Sequence, residues 1–119
     1  MAIDPTGADL KRFLDDDTGP VVMLNLLRFR KDGGRERYAR YARALTEVLP
    51  RFGGEVVYAG DGHTPLIAEE GQAWDAVLCV RYPSRAAFAR MVADPDYQRV
   101  THLRTEALEE AVLQPTSAW

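Results

Sequence analysis

Metal-binding and redox-active side chains are scarce in this chain: it has one cysteine, Cys79, and two histidines, His63 and His102. A single cysteine excludes an intrachain disulfide and agrees with a reducing compartment. His102 has no second ligand at helix-turn spacing, so no metal site is expected. The triplet Asp15-Asp16-Asp17 lacks the regularly spaced further ligands of a calcium loop and reads as a solvated turn. Positive charge is not in excess either. With 15 Lys+Arg against 18 Asp+Glu, the formal net charge of −3 excludes the concentrated basic surface a nucleic-acid binder needs. No stretch approaches the roughly 20 apolar residues of a membrane span. Met1-Ala2-Ile3-Asp4-Pro5 has neither the basic start nor the apolar core of a secretory signal, so a soluble cytoplasmic protein is expected. Phosphate-cradling glycine loops and a serine elbow are also missing, which leaves nucleotide and ester chemistry without support.

What remains is an ordinary globular composition. At 119 residues, 46% hydrophobic and 28% charged, the chain is expected to form one domain, residues 1–119, and to bury roughly two-thirds of its unfolded surface. Residues 1–19 read as an N-terminal helical extension: Thr6-Gly7-Ala8-Asp9 has the form of a capping box ahead of Leu10, Phe13 and Leu14.

The organising stretch is Val21-Val22-Met23-Leu24-Asn25-Leu26-Leu27-Arg28-Phe29. As a strand it places Val21, Met23, Asn25 and Leu27 on one face and Val22, Leu24 and Leu26 on the other. Both faces are apolar, so both need cover.

From Arg35 to Phe52, apolar residues recur at helical spacing, including Tyr38, Tyr41, Leu45, Val48 and Leu49. Pro50 disturbs the last turn and Gly53-Gly54 closes it. Glu55–Ala59 reads as a second strand. Residues 60–73 form either a long hairpin arm or an active-site loop, in which Leu66-Ile67-Ala68 either resumes the strand or begins a ribbon. Trp74–Tyr82 is a third strand. Ser84 and Asp94 are the N-caps of two further helices, the second with Pro95 in its first turn. Glu109–Gln114 is a fourth strand, ended by Pro115.

The order β-α-β-β-α-β is the ferredoxin-like α+β pattern, a four-stranded antiparallel sheet with its principal helices on one face. The other face, carrying Val22, Leu24 and Leu26, is too apolar for water. A homodimer packing two such sheets together is therefore expected.

With those elements placed, a resemblance emerges. Val22-Met23-Leu24-Asn25-Leu26-Leu27-Arg28-Phe29, Tyr38-Ala39-Arg40-Tyr41, Gly53-Gly54, Pro83-Ser84-Arg85 and Asp94-Pro95-Asp96-Tyr97-Gln98 together resemble the domain of unknown function 1330 family. The resemblance spans about Pro20 to Gln114, and the family belongs to the dimeric α/β-barrel superfamily. It implies the same fold and dimerisation. The superfamily includes cofactor-free monooxygenases of polyketide quinones, lactone isomerases, dehalogenation-pathway proteins, haem-degrading enzymes and haem peroxidases, whose ligands sit between sheet and helices. Fold analogy does not fix the chemistry.

Candidate site residues follow from polar groups in apolar settings. Asn25 interrupts an apolar strand, and an unpartnered buried amide costs about 1–3 kcal/mol. It either bonds a loop carbonyl or holds a substrate oxygen. Tyr38, Tyr41, Trp74 and Tyr97 are ligand-binding candidates around the same cavity, or else ordinary core. Arg104 shares a helical stripe with Tyr97 and Val100 and is placed to hold a ligand carboxylate, unless it pairs with an acid such as Asp75. His63 is the candidate acid or base, or an exposed loop histidine. Cys79 lies mid-strand and reads as a small hydrophobe.

Two functions remain open at this level. One is a small-molecule-binding protein acting as a cofactor-independent enzyme on a small carbonyl or phenolic compound, by proton transfer, isomerisation or monooxygenation, with His63, Asn25 and Arg104 as catalytic residues. The alternative is a non-catalytic ligand-binding or scaffold dimer. No cofactor is expected in either case.

Overall fold

The computed structural model describes residues 2–16 and 19–119; Asp17 and Thr18, part of the expected acidic turn, lie outside the described residues. In chain order the elements are α1 (Gly7–Asp15), β1 (Val21–Phe29), α2 (Gly34–Val48), a 3-10 turn (Leu49–Phe52), β2 (Glu55–Asp61), β3 (Ala76–Tyr82), α3 (Arg85–Ala93), α4 (Pro95–Ala107) and β4 (Leu108–Thr116). The strands form one antiparallel sheet in the order β2-β3-β1-β4. This is the ferredoxin-like α+β arrangement expected from the sequence, with its most apolar strand, β1, at an interior position.

Alternation along β1 sorts its faces as the residue pattern dictates. Val21, Met23 and Leu27 are buried, and Val22, Leu24 and Leu26 only partly so. The buried set joins two clusters. One gathers Val21, Met23, Val80 and Tyr82 from the sheet with Tyr41, Val48, Leu49, Phe88, Met91 and Tyr97. The second joins Leu27 to Ala76, Ala107, Leu108 and Ala111. Helix α2 packs on α4, and their approach explains Gly34: a Cβ there would stand 2.5 Å from the Ala107 carbonyl oxygen.

Leu27 is fully buried. Leu27→Ala is expected to cost about 3 kcal/mol through lost transfer energy and a residual cavity. At about 4 °C per kcal/mol for a chain of this size, the melting temperature should fall by roughly 12 °C in scanning calorimetry. A fall of only a degree or two would mean the site collapses around the smaller side chain.

The opposite sheet face carries Val22, Leu24 and Leu26 of β1, Val77 and Cys79 of β3, Val112 of β4 and Tyr58 of β2, as the strand registers require. None of these residues belongs to either buried cluster.

Four boundaries differ from the sequence expectation. Strand β3 begins at Ala76 rather than Trp74, because the Trp74 ring is taken up by the Arg28 guanidinium. The α-helix stops at Val48 and Leu49–Phe52 continues as 3-10, because Pro50 has no N–H for the α-helical ladder. Gly53, at φ 74, closes the turn in the left-handed region, where a side chain would be strained. Strand β4 runs through Pro115 to Thr116. It is an edge strand with β1 as its one neighbour, the setting in which a sheet tolerates proline. Leu66–Ala68 forms no strand; β2 extends instead to Asp61, and the Gly62 N–H donates to the Asp75 carbonyl at 2.8 Å, closing the base of the excursion.

The N-terminal segment lies against the domain. Its capping box is formed: Thr6 N–H donates to Asp9 and Asp9 N–H to the Thr6 hydroxyl, at 3.0 and 3.1 Å. Phe13 meets Phe88 edge-on at 5.4 Å, the Ala111 N–H donates to the Ala2 carbonyl at 2.9 Å, and α1 contributes no buried residue of its own.

Candidate functional site

A cavity of about 410 Å³ lies between the helix-facing side of the sheet and the helices, within the size range of small-molecule sites. Strand β1 supplies Met23 and Asn25, α2 supplies Tyr38, Tyr41 and Leu45, and α4 supplies Tyr97, Thr101 and Arg104. Spacings of three and four residues put each helical set on one stripe. The N-terminal segment contributes Asp4, Pro5 and Leu10. The structure thus brings Asn25, Tyr38, Tyr41, Tyr97 and Arg104 together.

The aromatic groups form a connected wall. Tyr38 and Tyr41 have ring centres 5.3 Å apart, Tyr41 and Tyr97 6.2 Å, and the Tyr41 and Tyr97 hydroxyls share a hydrogen bond of 3.0 Å. Burial pushes the Tyr38 hydroxyl up to about 12, against the opposing pull of Arg104. Burial also holds Tyr41 well above the ordinary tyrosine range, helped by Tyr97. Both are therefore neutral at physiological pH, with hydroxyls able to donate a hydrogen bond rather than act as bases.

Arg104 is the buried charge of the site. Its side chain is 8% exposed. Nη1 donates to the Ile3 carbonyl at 2.8 Å and to Asp4 Oδ1 at 3.1 Å, while Nη2 is buried and has no hydrogen-bond partner among the described residues. Its acidic partner is Asp4, not Asp75. Asp75 instead accepts from the Phe29 N–H at 2.9 Å. Asn25 donates from Nδ2 to the Met23 carbonyl at 3.2 Å, a bond within its own strand rather than to a loop.

His63 and Trp74 do not reach this cavity. They line a separate open depression of about 610 Å³ with Lys31, Gly62, Asp75 and Glu109. Trp74 serves there as a platform: the Arg28 guanidinium lies 4.5 Å above its ring and donates to the Gly71 and Ala73 carbonyls, each at 2.8 Å. Residues 62–75 therefore stand apart from the tyrosine wall. His63 and His102 are exposed. Cys79 sits on the outer sheet face opposite Leu24 and Tyr58 and does not line the cavity. Among the described residues, no three His, Cys, Asp or Glu side chains are grouped to hold a metal ion, and no helix is long and apolar enough to cross a membrane.

Asp4 is the site residue that sequence reasoning missed. It stands outside every periodic segment, and its partner is 100 positions away, so no local signal marks it.

Comparison with known proteins extends these findings. No curated protein matches the chain. A crystallised protein of unknown function from Rhodopseudomonas palustris is 36% identical, with a TM-score of 0.90 over 98% of this chain and 96% of that one. Fold likeness reaches further. A dimeric ferredoxin-like protein of unknown function from Jannaschia sp. gives a TM-score of 0.64 at 13% identity, over 84% of this chain and 100% of that one. The hydroxynitrile lyase of Passiflora edulis gives 0.63 at 14% identity, over 82% and 91%. The family model described as domain of unknown function 1330 matches residues 31–114, from just after β1 to near the end of β4, and the chain belongs to that family.

Proposed function

We propose that this protein is a homodimer that binds a small carbonyl or phenolic compound between its sheet and helices. The observation that carries this reading is Arg104. A guanidinium this buried, with Nη2 unpartnered among the described residues, is costly unless a further acceptor completes it. The cavity beside it is mostly apolar and lined by four tyrosines, Tyr38, Tyr41, Tyr82 and Tyr97, a lining suited to a planar organic molecule with an oxygen at one end. In this reading Arg104 and Asn25 orient that oxygen, and Tyr38, Tyr41 and Tyr97 pack against the remainder. Dimerisation is supported by the uncovered apolar sheet face and by the dimeric Jannaschia protein of the same fold.

A cofactor-independent enzyme is the second reading, favoured by the bonded Tyr41–Tyr97 pair, which is able to donate a proton to a substrate oxygen. The Passiflora enzyme is a fold neighbour with a catalytic activity. Binding without turnover is preferred because, among the described residues, Asp4 is the one carboxylate lining the cavity, it is bonded to Arg104 and Thr105, and no histidine lines the cavity.

Native mass spectrometry of the protein as purified tests this reading. A dimer carrying a small organic passenger is expected. Asn25→Ala and Arg104→Ala should each lose the passenger while the melting temperature stays within a few degrees, and His63→Ala should keep it. Passenger retained by Arg104→Ala would sink the site, and a large loss of stability from both cavity variants would make the two residues structural.

A further inference from the structure

We propose that the compound Arg104 holds is an organic monocarboxylate, and that Asp4 of the N-terminal segment occupies the carboxylate's place on the guanidinium until the ligand displaces it. This rests on the cavity being a ligand site.

The hydrogen-bond pattern of Arg104 points to the exchange. A carboxylate is best held by two parallel N–H bonds across one edge of a guanidinium. Asp4 takes only Nη1, at 3.1 Å, and Nη2 has no partner among the described residues. Asp4 thus satisfies one of the two donors that a bidentate carboxylate takes.

Burial makes the exchange asymmetric. Asp4 is 47% exposed where Arg104 is 8% exposed. Released from Arg104, the Asp4 carboxylate returns to water with little loss, whereas the guanidinium stays buried and needs an anion beside it. The charges of the lining residues set the stoichiometry. Arg104 is the one cation and Asp4 the one anion lining the cavity among the described residues, so one incoming carboxylate replaces one outgoing carboxylate. The remaining lining, neutral tyrosines and aliphatic side chains, accepts an uncharged body. The Arg104 charge also acts on the Tyr38 and Tyr41 hydroxyls, which agrees with its place in the same cavity lining.

Release of Asp4 also opens a way in. Asp4, Pro5 and Leu10 line both this cavity and a neighbouring depression of about 420 Å³ that contains Phe13 and Arg85. Met23, Phe88 and Leu113 also line both, so the segment forms one side of the boundary between the two. The segment is tied down near Asp4 by Arg104 to the Ile3 carbonyl and by the Thr105 hydroxyl to the Asp4 carboxylate, at 2.8 and 3.1 Å.

The test is calorimetric titration of the full chain with matched acid and amide pairs: benzoate and benzamide, phenylacetate and phenylacetamide, octanoate and octanamide. For at least one pair, the acid should bind better than its amide. Asp4→Ala should tighten that acid about tenfold, the worth of one hydrogen bond between charged partners, and leave the amide unchanged. Arg104→Gln should erase the preference for the acid. Amides that bind as well as acids would overturn the carboxylate assignment and leave the cavity reading standing. Acid affinity unchanged or weakened in Asp4→Ala would overturn the displacement, since a merely structural Asp4 would lower the melting temperature without tightening any ligand. If no member of the panel binds, both the assignment and the cavity reading fall.

Discussion

A protein carrying Leu24→Asp is expected to sediment as a monomer where the unaltered protein sediments as a dimer. Leu24 stands in the middle of β1 on the outer sheet face, opposite Cys79 on one neighbour and Gln114 on the other. Val22 and Leu26 share that face on the same strand. When two such faces pack at about 10 Å, a carboxylate at this position is taken out of water twice, once in each copy. Each uncompensated charge costs several kcal/mol, enough to abolish association at micromolar concentration. The fold of the single chain should persist, because the residue is only partly buried and its backbone ladder is untouched. Leu66→Asp is the control. Leu66 is 98% exposed, outside the sheet face, and its charge should leave the dimer intact. Sedimentation velocity at low micromolar concentration reads all three proteins. A Leu24→Asp dimer would move the interface elsewhere, and a monomer for the unaltered protein would remove the dimer altogether.

Alkali should unfold the protein steeply. Burial holds the Tyr38 hydroxyl up to about 12 and raises Tyr41 and Tyr82 as well, whereas unfolded tyrosines lose their protons near 10. Above about pH 10 the unfolded chain therefore binds fewer protons than the folded one, and stability falls as pH rises. Their contribution is fully present below the unfolded value and is lost as pH climbs toward the folded one. Three such groups give a slope of about 4 kcal/mol per pH unit, at about 1.4 kcal/mol each. Urea unfolding at rising pH, with tyrosinate absorbance followed in parallel, measures this directly. Tyr41→Phe should remove one tyrosine's share of the slope, and at neutral pH should cost about 1 kcal/mol for the lost bond to Tyr97. Tyrosinate forming near pH 10 in a chain that stays folded would show that these hydroxyls are not held as described.

Much of this architecture is legible along the chain because it is local. Period-two alternation in β1 separates Met23 and Leu27 from Leu24 and Leu26, and three- and four-residue spacing sets Tyr38 with Tyr41 and Tyr97 with Arg104. Caps at Thr6, Ser84 and Asp94 mark where helices begin, and all three accept hydrogen bonds from first-turn amides. Such features depend on neighbours within a turn or two, so residue identity alone carries them. Asn25 and Arg104 stand out for a related reason: a polar group inside an apolar pattern must be compensated wherever the chain goes.

The tertiary structure decided the rest. Trp74 shares the alternation of β3 with Ala76 and Val80, yet it lies just beyond the strand and turns toward Arg28. Pro115 continues β4 because that strand is at an edge, a position set by the whole sheet. Asp4 reaches Arg104 across 100 positions, although a local reading assigns that arginine a partner such as Asp75. Alternation, helical stripes and caps are properties of consecutive residues, so the sequence by itself determined the elements and the faces they bury. Which charge meets which, and which aromatic enters the cavity, depend on segments far apart in the chain that only the folded structure brings within hydrogen-bond distance.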